Sequence, residues 1–148
     1  MIHPMDHFPV TIRATDMVLS HDEYMMVTVD NDTRVPVQIW DTTSGTLLHE
    51  FNNLLNNNLY YMNSAQDTIV FSPDDTILGV GYRMSNVSLI NTLTGELLHT
   101  FTYNDPIRKI HFIHEYTKII IKLGCSIIIE DISEFLPAKD EFVKGALN

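Results

Sequence analysis

The sequence predicts an all-β chain made of repeated, four-stranded antiparallel units. Three observations carry that expectation. First, Val37–Phe51 (VQIWDTTSGTLLHEF) and Val87–Phe101 (VSLINTLTGELLHTF) align without gaps at an offset of 50 residues. The identities are Val37/Val87, Thr42/Thr92, Gly45/Gly95, Leu47/Leu97, Leu48/Leu98, His49/His99 and Phe51/Phe101. Second, the runs between turn signals are short and rich in β-branched and aromatic residues, and no stretch before the last residues holds a helical period. Third, the upstream runs MVLSHDEYMMVTVD (Met17–Asp30), IVFSPDDTILGVGY (Ile69–Tyr82) and KIHFIHEYTKIIIKL (Lys109–Leu123) repeat too, anchored on Leu19, Phe71 and Phe112. The repeating unit is about 40 residues, stretched once by an insertion near Asn52–Ala65, and a fixed period of that size marks a repeat architecture.

The elements follow in order. The first unit carries strands over 15–20 and 24–30, joined through Ser20–Glu23, then 35–41 and 46–51, joined through Thr42–Gly45. Asp and Ser bond the nearby backbone in such turns and Gly takes a positive φ. The second unit repeats this over 68–72, 76–82, 87–91 and 96–101, with Ser72-Pro73-Asp74-Asp75 as its first turn. The third unit gives 108–113, 117–123 and 126–132 and has no obvious outer strand. Trp40, Phe71 and Phe112 are expected to be buried strand positions. Four short strands per unit of about 40 residues is the pattern of a β-propeller blade. The fold class expected is therefore a partial β-propeller of about three four-stranded antiparallel blades, too few to close a ring alone. The blades run over about 14–51, 65–101 and 107–133, with the insertion at 52–64. Residues 1–13 form an N-terminal arm, in which Phe8–Arg13 (FPVTIR) reads as a strand able to serve another blade. Residues 134–148 form a tail whose Asp140–Leu147 has a short apolar side of Phe142, Val143 and Leu147.

These residues resemble the WD-repeat β-propeller family over about residues 14–133. The second unit carries the resemblance best, in FSPDD, TILGVGY, VSLIN and TGELLHTF, and the first adds VQIWD with the Trp40-Asp41 pair. The Gly-His dipeptide of that family is absent, and the Trp-Asp pair becomes Ile90-Asn91 and Glu130-Asp131 in the later units. The resemblance implies a non-enzymatic scaffold that binds other proteins through the loops between blades and before each third strand. Its implied partner-binding residues are Arg34, Arg83, Tyr103 and Arg108, to which the inserted loop adds Tyr60 and Tyr61.

A blade buries its two faces only against neighbouring blades. Three units leave one apolar face and one strand edge open at each end, which invites association. Two chains joined into a six-bladed ring, a piece of a longer propeller, and docking on a completing partner all meet that requirement. The partners expected are thus proteins, as a homo-oligomer or as another propeller segment.

Charge narrows the classes further. The chain has 148 residues with 9 basic and 19 acidic side chains, a net charge of −10. Residues 1–75 hold 2 basic and 11 acidic groups, residues 76–148 hold 7 and 8. That balance argues against nucleic acid and anionic membrane partners. The start, MIHPMDHFPV, carries neither the basic end nor the apolar run of a secretory signal, and Cys125 has no second cysteine to pair with. An intracellular protein, cytoplasmic or nuclear, is expected.

The chemistry-bearing residues read as structural. His49 and His99 share one repeat position; His111 and His114 flank Phe112; His3 and His7 lie with Asp6 in the arm. None of this matches a zinc, EF-hand or HExxH spacing, so no metal and no cofactor are expected. Asp22-Glu23 and Asp74-Asp75 sit at equivalent turns, as turn formers would. Ser44 and Ser72 lack a GxSxG setting, Gly79-Val80-Gly81 lies inside a strand, and Cys125 follows Gly124 in a turn. The rival reading is a propeller-type hydrolase with a His/Asp metal site.

Overall fold

The computed structural model describes residues 9–30, 37–51, 65–81, 85–113, 115 and 117–137. The first unit forms β1 (Asp16–Leu19), β2 (Met25–Val29), β3 (Val37–Asp41) and β4 (Leu47–Phe51). A single helical turn, α1 (Ala65–Thr68), leads into β5 (Ile69–Phe71), followed by β6 (Ile77–Gly81), β7 (Asn86–Asn91) and β8 (Leu97–Thr102). The third unit forms β9 (Lys109–Ile113), β10 (Lys118–Lys122) and β11 (Ile127–Asp131). The sheets run β1-β2-β3-β4, β5-β6-β7-β8 and β9-β10-β11, each an antiparallel meander. The fold is a nearly all-β partial propeller of three blades that do not close into a ring.

The repeat extends to fine structure. Each blade reverses between its first two strands through a non-glycine residue of positive φ, Glu23 at 65°, Asp75 at 64° and Glu115 at 55°. In the first two blades a serine hydroxyl steadies that turn, Ser20 Oγ donating to Asp22 Oδ1 at 2.7 Å and Ser72 Oγ to Asp74 Oδ1 at 2.8 Å. Between third and fourth strands the Asp41 carboxylate accepts the N–H groups of Thr43 and Ser44, and the Asn91 side chain does the same for Leu93 and Thr94. Asp131 holds Ser133 N–H in the same way in the third blade, where a 3-10 turn, Ser133–Phe135, follows. Even the register shift recurs, between Ile39 and Trp40 and between Leu89 and Ile90, 50 positions apart.

Side-chain alternation along each strand sends apolar residues to both faces of the middle blade. One core joins blades one and two through Val27, Val37 and Ile39 against Ile69, Phe71, Leu78 and Ile90. The other joins blades two and three through Val87 and Leu89 against Ile110, Phe112, Ile119 and Ile121. The glycines of β6 let the third blade come close: a Cβ on Gly81 would lie 2.7 Å from Ile107 Cγ2. Polar clamps reinforce the joints. Asp75, only 5% exposed, accepts hydrogen bonds from the backbone N–H of His21 at 2.9 Å and of Asp22 at 3.0 Å. Its carboxylate also meets His21 Nδ1 at 2.8 Å.

The third blade has three strands among the described residues, in line with the missing outer strand of its repeat, and the chain leaves β11 through the 3-10 turn. Two expectations need correction. Pro9–Ala14 forms no strand, and Phe8 lies outside the described residues. Trp40 is half-buried, with Nε1 donating to Thr28 Oγ1 at 2.9 Å. Its face of blade one has no blade before it, whereas Phe71 and Phe112 lie between blades and are buried. The insertion at 52–64 and the helical pattern at Asp140–Leu147 lie outside the described residues.

Gly95 gives a direct test of the repeat contacts. Its φ is +75°, and a Cβ there would lie 2.6 Å from His49 Nδ1. Gly95→Ala is expected to destabilise the chain by about 1–2 kcal/mol, the cost of a left-handed alanine plus displacement of His49. Gly124→Ala, where an added Cβ meets nothing within 4 Å, should stay within about 0.5 kcal/mol. Urea unfolding of the two variants beside the parent makes the comparison.

Candidate functional site

The surfaces with the most to offer a partner are the two ends of the blade stack. In blade three, Ile110, Phe112, Ile119, Ile121 and Ile128 point back into the core with blade two. Strand alternation then turns Ile127 and Ile129 forward, and they are 64% and 61% exposed. Ile113 and Ile120 are half-buried on the same face, and Lys109, Lys118 and Lys122 rim it. The outer edge of β11 has no pairing strand among the described residues. At the other end, blade one turns Met17, Leu19 and Leu47 outward, each exposed, around the half-buried Met26 and Trp40. Glu50 shares that face and accepts from Gln38 Nε2 at 3.5 Å.

The N-terminal arm lies against this second face. Val10 and Ile12, with Met26 and the Asp41–Gly45 turn, line a shallow cleft. A Cβ on Gly45 would lie 2.9 Å from Val10 Cγ2, so the arm seats directly on the glycine. Arg13 Nε meets Asp30 Oδ2 at 3.3 Å, and Thr15 N–H donates to Val29 O at 2.7 Å. These contacts tie the arm to blade one.

Of the residues expected to bind partners, the structure describes Tyr103 and Arg108. Tyr103 is half-buried in the core between blades two and three, and its hydroxyl donates to Glu130 Oε1 at 2.9 Å. Burial first, and the adjacent Glu130 carboxylate second, push its phenol well above the ordinary tyrosine range. Arg108 lies in the same connection between β8 and β9 with its side chain exposed, and its N–H donates to Lys122 O at 2.8 Å. Arg34, Tyr60, Tyr61 and Arg83 lie outside the described residues. The outward isoleucines of β11 were missed by sequence reasoning. The signal for them was the missing outer strand of the third repeat, which leaves a β-rich run without its cover.

The titratable groups act within turns. The Ser20 hydroxyl, then the Tyr24 N–H, hold the Asp22 carboxyl below the usual range. The N–H groups of Ser44 and Thr43 do so for Asp41, and Ser133 does so for Asp131. Among the described residues no three His, Cys, Asp or Glu side chains converge as a metal site. His49 Nε2 lies 3.1 Å from Thr92 O, and His99 stacks on Phe135 with ring centroids 3.9 Å apart. Cys125 is exposed in the turn between β10 and β11. No described helix is long and apolar enough to cross a membrane.

The fold is similar to that of known propellers. The solved structure of U3-55K, a WD40 β-propeller protein, superposes with a TM-score of 0.65 at 16% sequence identity. The match covers 83% of this chain and 37% of that one, so this chain spans well under half the length of the propeller it matches. No family model matches the sequence. No curated protein matches it either.

Proposed function

We propose that this chain is a non-enzymatic protein-interaction module of the WD-repeat type, a scaffold that works through the open ends of its blade stack. Further propeller-forming protein, a second copy or another segment, covers those ends. One observation carries the reading: Ile127 and Ile129 stand 64% and 61% exposed on a strand whose outer edge is unpaired among the described residues. Apolar surface beside an open edge is an association site, because pairing satisfies the backbone while burial removes the side chains from water. The likeness to U3-55K supports the fold part of the reading. The loops near Arg34, Arg83 and Arg108, with Tyr60 and Tyr61, offer further partner contacts. Their substitution should weaken binding without lowering the melting temperature, whereas Tyr103 should lower it.

Mass in solution and an apolar dye test the reading together. The purified chain is expected to run above its 17.0 kDa mass and to bind little dye, because its ends are covered. A monomer that stays soluble and dark at high concentration would overturn the reading. Turnover with a stoichiometric metal would replace it with the hydrolase.

A further inference from the structure

We infer that the arm Pro9–Arg13 is the outer strand of a blade other than the three described, and that this blade is the third blade of a second copy. The inference rests on the reading above and names the partner. It starts from one contact that recurs three times. In blade one, His49 of the outer strand β4 seats on Gly95, in the turn after the third strand of blade two. In blade two, His99 of β8 stacks on Phe135, in the turn after the third strand of blade three. Gly45, Gly95 and Phe135 each lie four residues after Asp41, Asn91 and Asp131, the three equivalent turn residues. The partner of Gly45 should therefore be an outer-strand residue of whatever blade precedes blade one. Its partner is Val10.

The rest of the arm agrees with that assignment. Val10 and Ile12 both line the cleft against blade one, an alternation that matches His49 and Phe51 of β4 and His99 and Phe101 of β8. Chain direction matches as well. Each outer strand leads onward to the innermost strand of the next blade, and the arm leads into β1. Val10 is nevertheless 63% exposed, so one side of the arm is covered and the other is not.

Blade three is the blade that needs this strand. At the positions equivalent to Leu47–Phe51 and Leu97–Phe101, its sequence reads Pro137-Ala138-Lys139-Asp140-Glu141, with neither the histidine nor the phenylalanine. Its third strand is complete and apolar on the forward face. The registers Val37↔Phe51 with Ile39↔His49, and Val87↔Phe101 with Leu89↔His99, carry over to Ile127↔Ile12 with Ile129↔Val10. The two exposed isoleucines thus share a face with the two arm residues, and that face meets Met17, Leu19, Met26 and Trp40 of the chain that donates the arm. Charge favours the same encounter, Lys109, Lys118 and Lys122 on blade three against Glu50 on blade one. A twofold axis makes the exchange reciprocal, each arm completing the other copy's blade, and six blades close the ring.

The test uses the full chain carrying Cys125→Ser, to which Val10→Cys and Ile129→Cys are added together. Under mild oxidation most of the protein should migrate at twice the 17.0 kDa chain mass on a non-reducing gel and return to one chain mass with reductant. Val10→Cys with Ile128→Cys, which places the second thiol on the opposite face, should give at least tenfold less. Val10→Asp with Ile12→Asp, without the cysteines, should convert the dimer to monomer on light scattering, with its strand circular dichroism retained. A dimer that never forms the Val10–Ile129 link overturns the strand exchange, as does a complex with a different polypeptide on this face, and either leaves the proposed function standing. A soluble, dye-dark monomer overturns both.

Discussion

Phe71→Ala should unfold most of the population or lower stability by about 3–5 kcal/mol. The ring is 3% exposed and sits in the core where β5 and β6 of blade two meet blade one. Truncation removes its transfer free energy and leaves a cavity that two flanking sheets, each held by ladder hydrogen bonds, are poorly placed to fill. A marginal domain has about 5–15 kcal/mol in all, so the loss is of the order of the whole. Trp40→Ala is the informative contrast. Trp40 is larger, yet half of it faces solvent at the open end, so its removal should cost the isolated chain clearly less than Phe71→Ala. Thermal and urea unfolding of both variants measures the difference, and equal losses would contradict the placement of Trp40 on an open face.

Asp75→Ala should be nearly as damaging, by about 2–4 kcal/mol. Three donors converge on this carboxylate, the His21 and Asp22 N–H groups and the His21 ring, and alanine leaves them in a joint between blades with no replacement acceptor. The backbone adds to the loss, since φ at Asp75 is 64° and alanine tolerates that region poorly. Asp75→Asn keeps one acceptor oxygen and a residue suited to positive φ, so it should retain at least half of the lost stability. Parity of the two variants in a denaturant titration would show that the clamp contributes little.

Much of the fold was legible because its repeat is written in residues whose chemistry is local. Each strand expected within the three blades formed, with ends displaced by no more than two residues, as at β7, where Asn86–Asn91 stands for 87–91. Turn residues such as Asp41, Gly45, Ser72 and Asp74 act on neighbours two or three positions away, and that is visible in any linear reading. The position of Trp40 was not legible. An apolar residue in a strand announces a need for cover, but whether another blade supplies that cover depends on how many units the chain contains. The anchoring of Tyr103 was hidden for the related reason that its hydrogen-bond partner, Glu130, lies 27 positions downstream. The arm, expected to serve another blade as a strand, forms no ladder among the described residues. The seat of Val10 on Gly45 is a contact between distant segments and became visible only in three dimensions.

The middle blade has a consequence for cooperativity. Blade two supplies Phe71, Leu78 and Ile90 to one core and Val87 and Leu89 to the other, and all of β6 is buried. In a linear array whose free energy is a sum of unit and nearest-neighbour terms, a unit with two interfaces is coupled to everything, and a unit with one is not. Either end blade can detach at the loss of a single interface, but blade two cannot lose order without forfeiting both. Fluctuations of the chain are therefore expected to be graded by distance from its centre: the ends open and reclose while the middle persists, so the two end faces are also the ones with the least internal restraint, and a partner that capped them would raise the cooperativity of the whole array.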